Sequence, residues 1–196
     1  MPANDKLTTY IQEFGVMTDD EARILSSFFK EAIVKKKQFI VQPGFTAKTR
    51  NFIATGAMRA YVIGEKGEEH TILLGIENWW ITDYDSYIFQ QPASMFVVAL
   101  EDSIILQLSF EKEQELKKSN HNYEAFFRVR AEMGHAFQQK RLIANLTLSA
   151  EERYKSFSED YPLIVQRVPQ YTLASYLGMS TEFLSRIRSK ARKKTS

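Results

Sequence analysis

The run that most restricts this chain is Gln170-Tyr-Thr-Leu-Ala-Ser-Tyr-Leu-Gly-Met-Ser-Thr-Glu-Phe-Leu-Ser-Arg-Ile-Arg-Ser189. Its apolar and small residues fall where two short helices must cross. Leu173 and Leu177 face inward from the first helix, and Ala174 is small at the crossing. Gly178 can take the left-handed conformation that ends that helix. Met179 plugs the turn, Ser180 suits the N-cap of the second helix, and Leu184 and Ile187 return to the core. This is the spacing of a helix-turn-helix; a helical hairpin that merely packs is the alternative. The second helix leaves Thr181, Glu182, Ser185, Arg186 and Ser189 outside, with Arg188 and Lys190 alongside. In a helix that enters the major groove the N-terminal residues reach base edges. Arg186 can bond guanine through O6 and N7, and Glu182 can accept from a cytosine amino group. The candidate DNA-binding residues are therefore Ser180, Thr181, Glu182, Ser185, Arg186, Arg188 and Lys190, and the expected partner is double-stranded DNA. Lys190, Arg192, Lys193 and Lys194 suit phosphates or water.

Charge agrees with that partner. Residues 167–196 carry seven Lys and Arg against one acid, Glu182, for a net charge of +6, while the rest of the chain stands at −4. A mildly acidic body with a basic end implies an anionic partner for the end; a solvated terminus is the plain alternative.

The remainder divides by texture. From Lys6 to about Ala32 the chain reads helical, with Ile11, Phe14, Leu25, Phe28 and Phe29 at three- and four-residue spacings. Thr18 followed by Glu21 is a capping box, which starts a helix at Asp19. From Ile33 to Leu108 five of the eight glycines punctuate short β-branched and aromatic runs. Strands are expected at 37–41, 51–55, 58–63 and 70–76, with two more within 95–108. Gly64-Glu65-Lys66-Gly67 makes a hairpin turn, and this many short strands imply a small barrel or jelly roll. Ser109 caps a short helix, and a longer one covers His121 to Thr147. Along that helix Phe126, Val129, Met133, Ala136, Phe137, Ile143 and Ala144 repeat at helical steps. Such a stripe is longer than a small barrel can cover, so Phe126, Val129, Met133, Phe137 and Ile143 are expected to meet a second copy in a homodimer. Packing wholly on the chain's own barrel is the other possibility. Ser149 and Glu152 form a second capping box.

These features together resemble the Crp/Fnr family of bacterial transcription regulators. The order of an N-terminal helix, a glycine-punctuated β-roll, a long helix and a helix-turn-helix matches. So does Ser149-Ala-Glu-Glu-Arg-Tyr154, followed by Arg167-Val-Pro-Gln170 and Leu173-Ala174. Glu182 and Arg186 fall where the family has its base-reading Glu and Arg, and Thr181 falls where it has another Arg. The resemblance implies an α+β chain: a cyclic-nucleotide-type β-roll for a small effector, a dimerisation helix and a DNA-binding unit. The division is expected at 1–148 and 149–196. It also implies a near-palindromic operator. The family's cyclic-nucleotide cassette has a Gly-Glu pair and, about ten residues later, an Arg and a hydroxyl. Here those positions fall at Thr82-Asp83 and Ala93-Ser94. Without the Arg a buried phosphate lacks a bidentate partner, so cyclic nucleotides are not expected to bind. Trp80, Asp83 and Ser94 are the candidate effector-pocket residues. Trp79, Trp80, Tyr84, Tyr87 and Phe89 either line such a pocket or belong to the core. The sequence runs only a few residues past the recognition helix and shows no stretch for the family's β-wing.

Other classes are poorly served. With no cysteine there is no thiolate nucleophile, disulfide or cysteine-held metal. His70, His121 and His135 are too dispersed for a cupin metal site, and no phosphate loop or nucleophile elbow occurs. Neither an enzyme, a cofactor nor a metal is expected. The apolar runs are too short to cross a bilayer and no secretory leader is visible, so the expected location is cytoplasmic, off the membrane. The competing binding-only reading is a small-ligand or cyclic-nucleotide sensor whose output is protein contact.

Overall fold

The computed structural model describes the backbone of residues 1–195 and the side chains of residues 1–190. Two helices lead, α1 (Ala3–Gln12) and α2 (Asp19–Ser27). The Thr18–Glu21 capping box forms as expected and starts α2 at Asp19. The strands follow: β1 (Lys30–Val34), β2 (Phe39–Val41), β3 (Thr49–Thr55), β4 (Met58–Ile63), β5 (Glu69–Gly75) and β6 (Trp80–Ile81). A short α3 (Tyr84–Phe89) precedes β7 (Phe96–Ala99) and β8 (Ser103–Ser109). They form two four-stranded antiparallel sheets, β1-β8-β3-β6 and β2-β7-β4-β5. The hairpin at residues 64–67 joins β4 to β5, with Gly67 at φ +83° donating to Gly64.

One expectation is corrected here. Helix does not continue to Ala32, because Lys30–Val34 is a strand paired residue by residue with Ser103–Gln107 of β8. The ladder supplies hydrogen bonds that an exposed third turn of α2 would not have had, so tertiary pairing overrides local preference.

Side-chain alternation along the strands sorts the core into two layers. Ile53, Met58, Ala60, Ile81, Val97 and Ile105 fill the space between the sheets. Phe52, Ala54, Trp80, Leu106 and Leu108 point the other way, onto the helices. That outer face is covered by Leu7 and Ile11 of α1, Leu25 of α2, and the start of a long helix beyond the roll. Each fully buried Leu, Ile or Phe in this layer contributes about 1.5–3 kcal/mol.

Beyond β8 the chain is helical: α4 (Phe110–Ser119), capped by Ser109, and then α5 (His121–Thr147), with the bounds the sequence implies. The N-terminal turns of α5 bury Tyr123, Phe126 and Phe127 in the outer layer of the roll. Its C-terminal half does not follow suit: Met133, Leu142, Ile143 and Leu146 are exposed. Then come α6 (Ala150–Asp160), opened by the Ser149–Glu152 capping box, α7 (Pro162–Arg167), α8 (Gln170–Tyr176) and α9 (Thr181–Thr195). Phe157, Ile164, Val168, Leu173, Leu177 and Leu184 form a third core, which reaches Leu74 of β5. No described helix is long and apolar enough to cross a membrane.

Candidate nucleic-acid interface

The turn between α8 and α9 is built as its sequence requires. Leu177 is the C-cap of α8, and Gly178 follows at φ +67°. Gly178 N–H donates to Ser175 at 3.2 Å and Met179 N–H to Ala174 at 3.0 Å, the paired bonds of a Schellman ending. The Ser180 hydroxyl then accepts from Phe183 N–H at 3.1 Å, so its role is to cap α9. Leu173, Ala174, Leu177, Leu184 and Ile187 are buried where the helices cross.

The opposite face of α9 is open. Glu182, Ser185, Arg186, Ser189 and Lys190 are exposed and Thr181 is half-buried. With Gln170 and Tyr171 of α8 they line a groove of about 770 Å³. The Arg186 guanidinium lies 5.3 Å from the Phe183 ring centroid, and Lys190 pairs with Glu151 at 3.2 Å. Backbone N–H bonding at the helix start, then the Ser180 hydroxyl and Arg186, hold the Glu182 carboxyl below its ordinary pKa. Arg188 is half-buried on the flank, outside this groove. The side chains of Arg192, Lys193 and Lys194 lie outside the described residues. Sequence reasoning missed Gln170 and Tyr171; the signal was available, since the first residues of the first helix border the same groove. Tyr171 also faces the roll, with the Arg59 guanidinium 5.8 Å from its ring.

In the roll Asp83 and Ser94 are brought together and Trp80 is held apart from them. Trp80 is corrected: Ile81, its neighbour on β6, faces the inter-sheet space, so Trp80 faces outward onto Tyr10, Phe29, Phe52 and Phe126. Asp83 is fully buried and spent on the backbone. It accepts from Ser86 N–H at 3.2 Å, Ser94 N–H at 2.9 Å and Met95 N–H at 3.0 Å. Ser94 is exposed, tied to that carboxylate through its own N–H. The nearby cations are equally committed. Arg50 shares the helix-facing side of β3 with Phe52 and forms a bidentate pair with the buried Glu113 at 2.6 and 2.9 Å. Arg59 points outward from β4 to Glu69 and to Thr71 Oγ1 at 2.9 Å. Burial works against the Glu113 charge, but Arg50 and then Lys117 hold its carboxyl low. The same burial, reinforced by Glu113, pushes the Tyr87 hydroxyl above its ordinary pKa. Among the described residues no His, Asp or Glu cluster suits a metal.

Two residues of the expected dimer stripe also need correction. Phe126 is fully buried within its own chain, against Phe14 and Phe127. Phe137 is half-buried and makes edge contacts with Trp79 and Tyr161. Both lie on the side of α5 that packs inward. Met133 and Ile143 are on that stripe, and Val129 borders it half-buried.

Neither a protein-family model nor a curated protein matches the sequence. Solved structures do. FixK2 from Bradyrhizobium japonicum superposes with a TM-score of 0.75 at 13% identity, over 85% of this chain and 86% of that one. The c-di-GMP responsive global regulator CLP of Xanthomonas campestris gives 0.67 at 14% identity, over 86% and 89%. The catabolite activator protein of Thermus thermophilus gives 0.57 at 19% identity, over 91% and 85%. The chain has the Crp/Fnr fold. At these identities the likeness is one of architecture: an α+β chain with a cyclic-nucleotide-type β-roll, a long helix and a helical C-terminal unit. CLP is described as a global regulator and the Thermus thermophilus protein as a catabolite activator.

Proposed function

We propose that the protein is a dimeric, sequence-specific DNA-binding transcription regulator of the Crp/Fnr type, acting in the cytoplasm. Residues 1–148 serve as the sensor and dimerisation unit and residues 149–196 as the DNA-binding unit. The carrying observation is the two-sidedness of α9. Leu184 and Ile187 are locked into the crossing with α8, while Glu182, Ser185 and Arg186 are exposed along one open groove, with Lys190 at its end paired only to the surface carboxylate of Glu151. A hairpin that only packs has no need of an exposed polar face along an open groove; a helix that reads base edges does.

Dimerisation through the C-terminal half of α5 completes the reading. Val129, Ala136 and Ile143 are seven residues apart, flanked by Met133 and Leu146, the latter 77% exposed. A seven-residue apolar repeat left uncovered on a long helix is the seam of a two-stranded pairing. Met133→Glu with Ile143→Glu places like charges near the two-fold axis, and sedimentation should then show a monomer. Selection of bound sites from random duplex DNA should return a near-palindrome with half-sites about 34 Å apart. A mutant that stays dimeric moves the interface elsewhere, and a selection that returns no motif overturns the regulator.

The roll in this reading is not a cyclic-nucleotide receptor. The cassette amides that a phosphate would need already bond to Asp83. Arg50 and Arg59 are paired and turned away from the inter-sheet space. Any effector of this protein is a molecule of different chemistry.

A further inference from the structure

The geometry points to Arg141 as the residue that fixes the recognition helix relative to the dimer axis, and so sets the half-site spacing that the protein accepts. This rests on the reading of the chain as a dimeric DNA-binding regulator. Arg141 lies in the C-terminal half of α5, and its guanidinium is bonded to carbonyls alone. Nη1 donates to Ile72 O, and Nη2 donates to Thr71 O at 3.2 Å and to Tyr176 O at 3.0 Å. The plane lies 4.0 Å from the Tyr176 ring centroid. One side chain of the long helix thus holds two distant elements at once, strand β5 of the roll and the last turn of α8. Among the described residues no carboxylate pairs with it, and its Nε–H is buried without a partner. Burial lowers its pKa. A cation kept from water without a counter-charge is costly. Its gain is directional: a planar fork that fits three carbonyls and the negative end of a helix.

The partner strand explains why the joint forms there. β5 is the free edge of its sheet, and an edge presents unpaired N–H and C=O groups. Two side chains from outside the roll take those groups. Thr71 N–H donates to Ser175 Oγ at 2.9 Å, and that hydroxyl donates to Glu69 O at 2.8 Å. Arg141 takes the carbonyls of Thr71 and Ile72. The remaining polar group of Thr71, its hydroxyl, accepts from Arg59. Strand β5 is therefore paired, in place of a fifth strand, with one residue of α8 and one of α5. If two copies meet along α5, each recognition helix is indexed to the two-fold axis through this joint. A separate tie, Arg167 to Glu77 and Glu101, keeps the DNA-binding unit on the roll when the joint is opened. Opening it should loosen the spacing of the two recognition helices and leave each one's own reading of bases intact.

The test uses the full chain and the selected operator, with two base pairs added to the spacer. That insertion turns one half-site by about 70° relative to the other. The wild type should lose affinity steeply on the altered spacer. Arg141→Ala should lessen that penalty about tenfold or more, the factor that one charge-assisted hydrogen bond carries. Its binding to a duplex with a single half-site, and its dimer mass, should stay near the wild-type values. Arg141→Lys should not restore the penalty, because a point charge cannot span three carbonyls. Ser175→Ala should shift it in the same direction by less, and carries the test if Arg141→Ala fails to fold. A folded Arg141→Ala dimer with the wild-type spacer penalty overturns the inference, as does an unchanged Ser175→Ala if that variant alone folds. A wild type that selects no motif overturns the DNA-binding reading instead, so the two failures are distinguishable.

Discussion

Two parts of this molecule gather polar groups, the turn before α3 and the outer face of α9, and they are finished in opposite ways. At the start of α3 the backbone N–H groups of Ser86, Ser94 and Met95 converge, and the buried carboxylate of Asp83 satisfies all three. Along α9 the polar side chains face solvent, and the cation best placed for a base, Arg186, has no carboxylate within salt-bridge distance among the described residues. The first site carries its anion in the chain, whereas in the proposed reading the second is completed by DNA. In the roll these donors are turned to internal structure, while α9 keeps its polar side chains outward.

Removing the internal anion should have the largest effect. In Asp83→Ala the three amides lose their buried acceptor, at roughly 1–3 kcal/mol for each donor left unmade. Some relaxation or an entering water will offset part of that, so a fall in melting temperature of at least about 5 °C is expected. A variant that melts with the wild type would show that the carboxylate is not what holds the cassette, and would break the comparison at its first half.

The second half is tested by Arg186→Ala. Loss of one bidentate base contact should cost about 1–3 kcal/mol at one base pair per half-site. Stability should barely change, because the side chain is exposed. Lys190→Ala, by contrast, should weaken binding to all sequences alike and flatten the salt dependence by about one unit. If the selected motif is unchanged in Arg186→Ala, the register of α9 assigned here is wrong.

A smaller effect should follow from the tie between the two regions. Burial alone would raise the Glu77 carboxyl, but Arg167 and Gly56 N–H hold it at about 2, against an ordinary 4.5. A carboxyl depressed by folding contributes stability above its unfolded value and loses it as pH falls through its folded value. The melting difference between wild type and Glu77→Gln should therefore shrink as pH is lowered from 4.5 to about 2. The pair is partly exposed, so solvent screening keeps this difference modest. A difference that grows on acidification would show that Glu77 is not held low by Arg167.

How much of this was legible beforehand differs by region for physical reasons. The bounds of α5, the two capping boxes and the Gly178 turn are local features, encoded by residues three or four apart, and each stands where the sequence places it. Strand β1 is not legible in the sequence, because its identity depends on pairing with β8 about seventy residues away. Trp80 was assigned to the wrong side because the two-residue β6 is too short to display its own alternation. Phe126 reads as interface because an apolar stripe does not state what covers it; Phe14 and Trp80 do so for the first turns only. Arg141 carried no signal at all, since a single cation on a long helix is ordinarily a solvated one.

The smallest expected effect is none, and it bears on the comparison most directly. A cyclic phosphate carries a full negative charge, and enclosing it demands hydrogen-bonded and preferably cationic compensation. In this roll the position expected to supply the cation is Ala93, which is buried and apolar. Asp83 holds the cassette amides and would face the incoming charge with its own. Arg50 is neutralised by Glu113 on the far side of its strand, and Arg59 by Glu69. To admit the ligand the protein would have to displace Asp83 from the cassette amides and break a buried ion pair, a cost that separate contacts to the base and ribose would have to exceed. A ligand present at 100 times its dissociation constant stabilises a fold by about 2.7 kcal/mol, a shift of several degrees in a chain of this size. Millimolar cyclic AMP and cyclic GMP should leave the melting temperature and the operator affinity where they were. An upward shift accompanied by tighter operator binding would mean that Asp83 yields to phosphate, and the two regions would then be open sites alike.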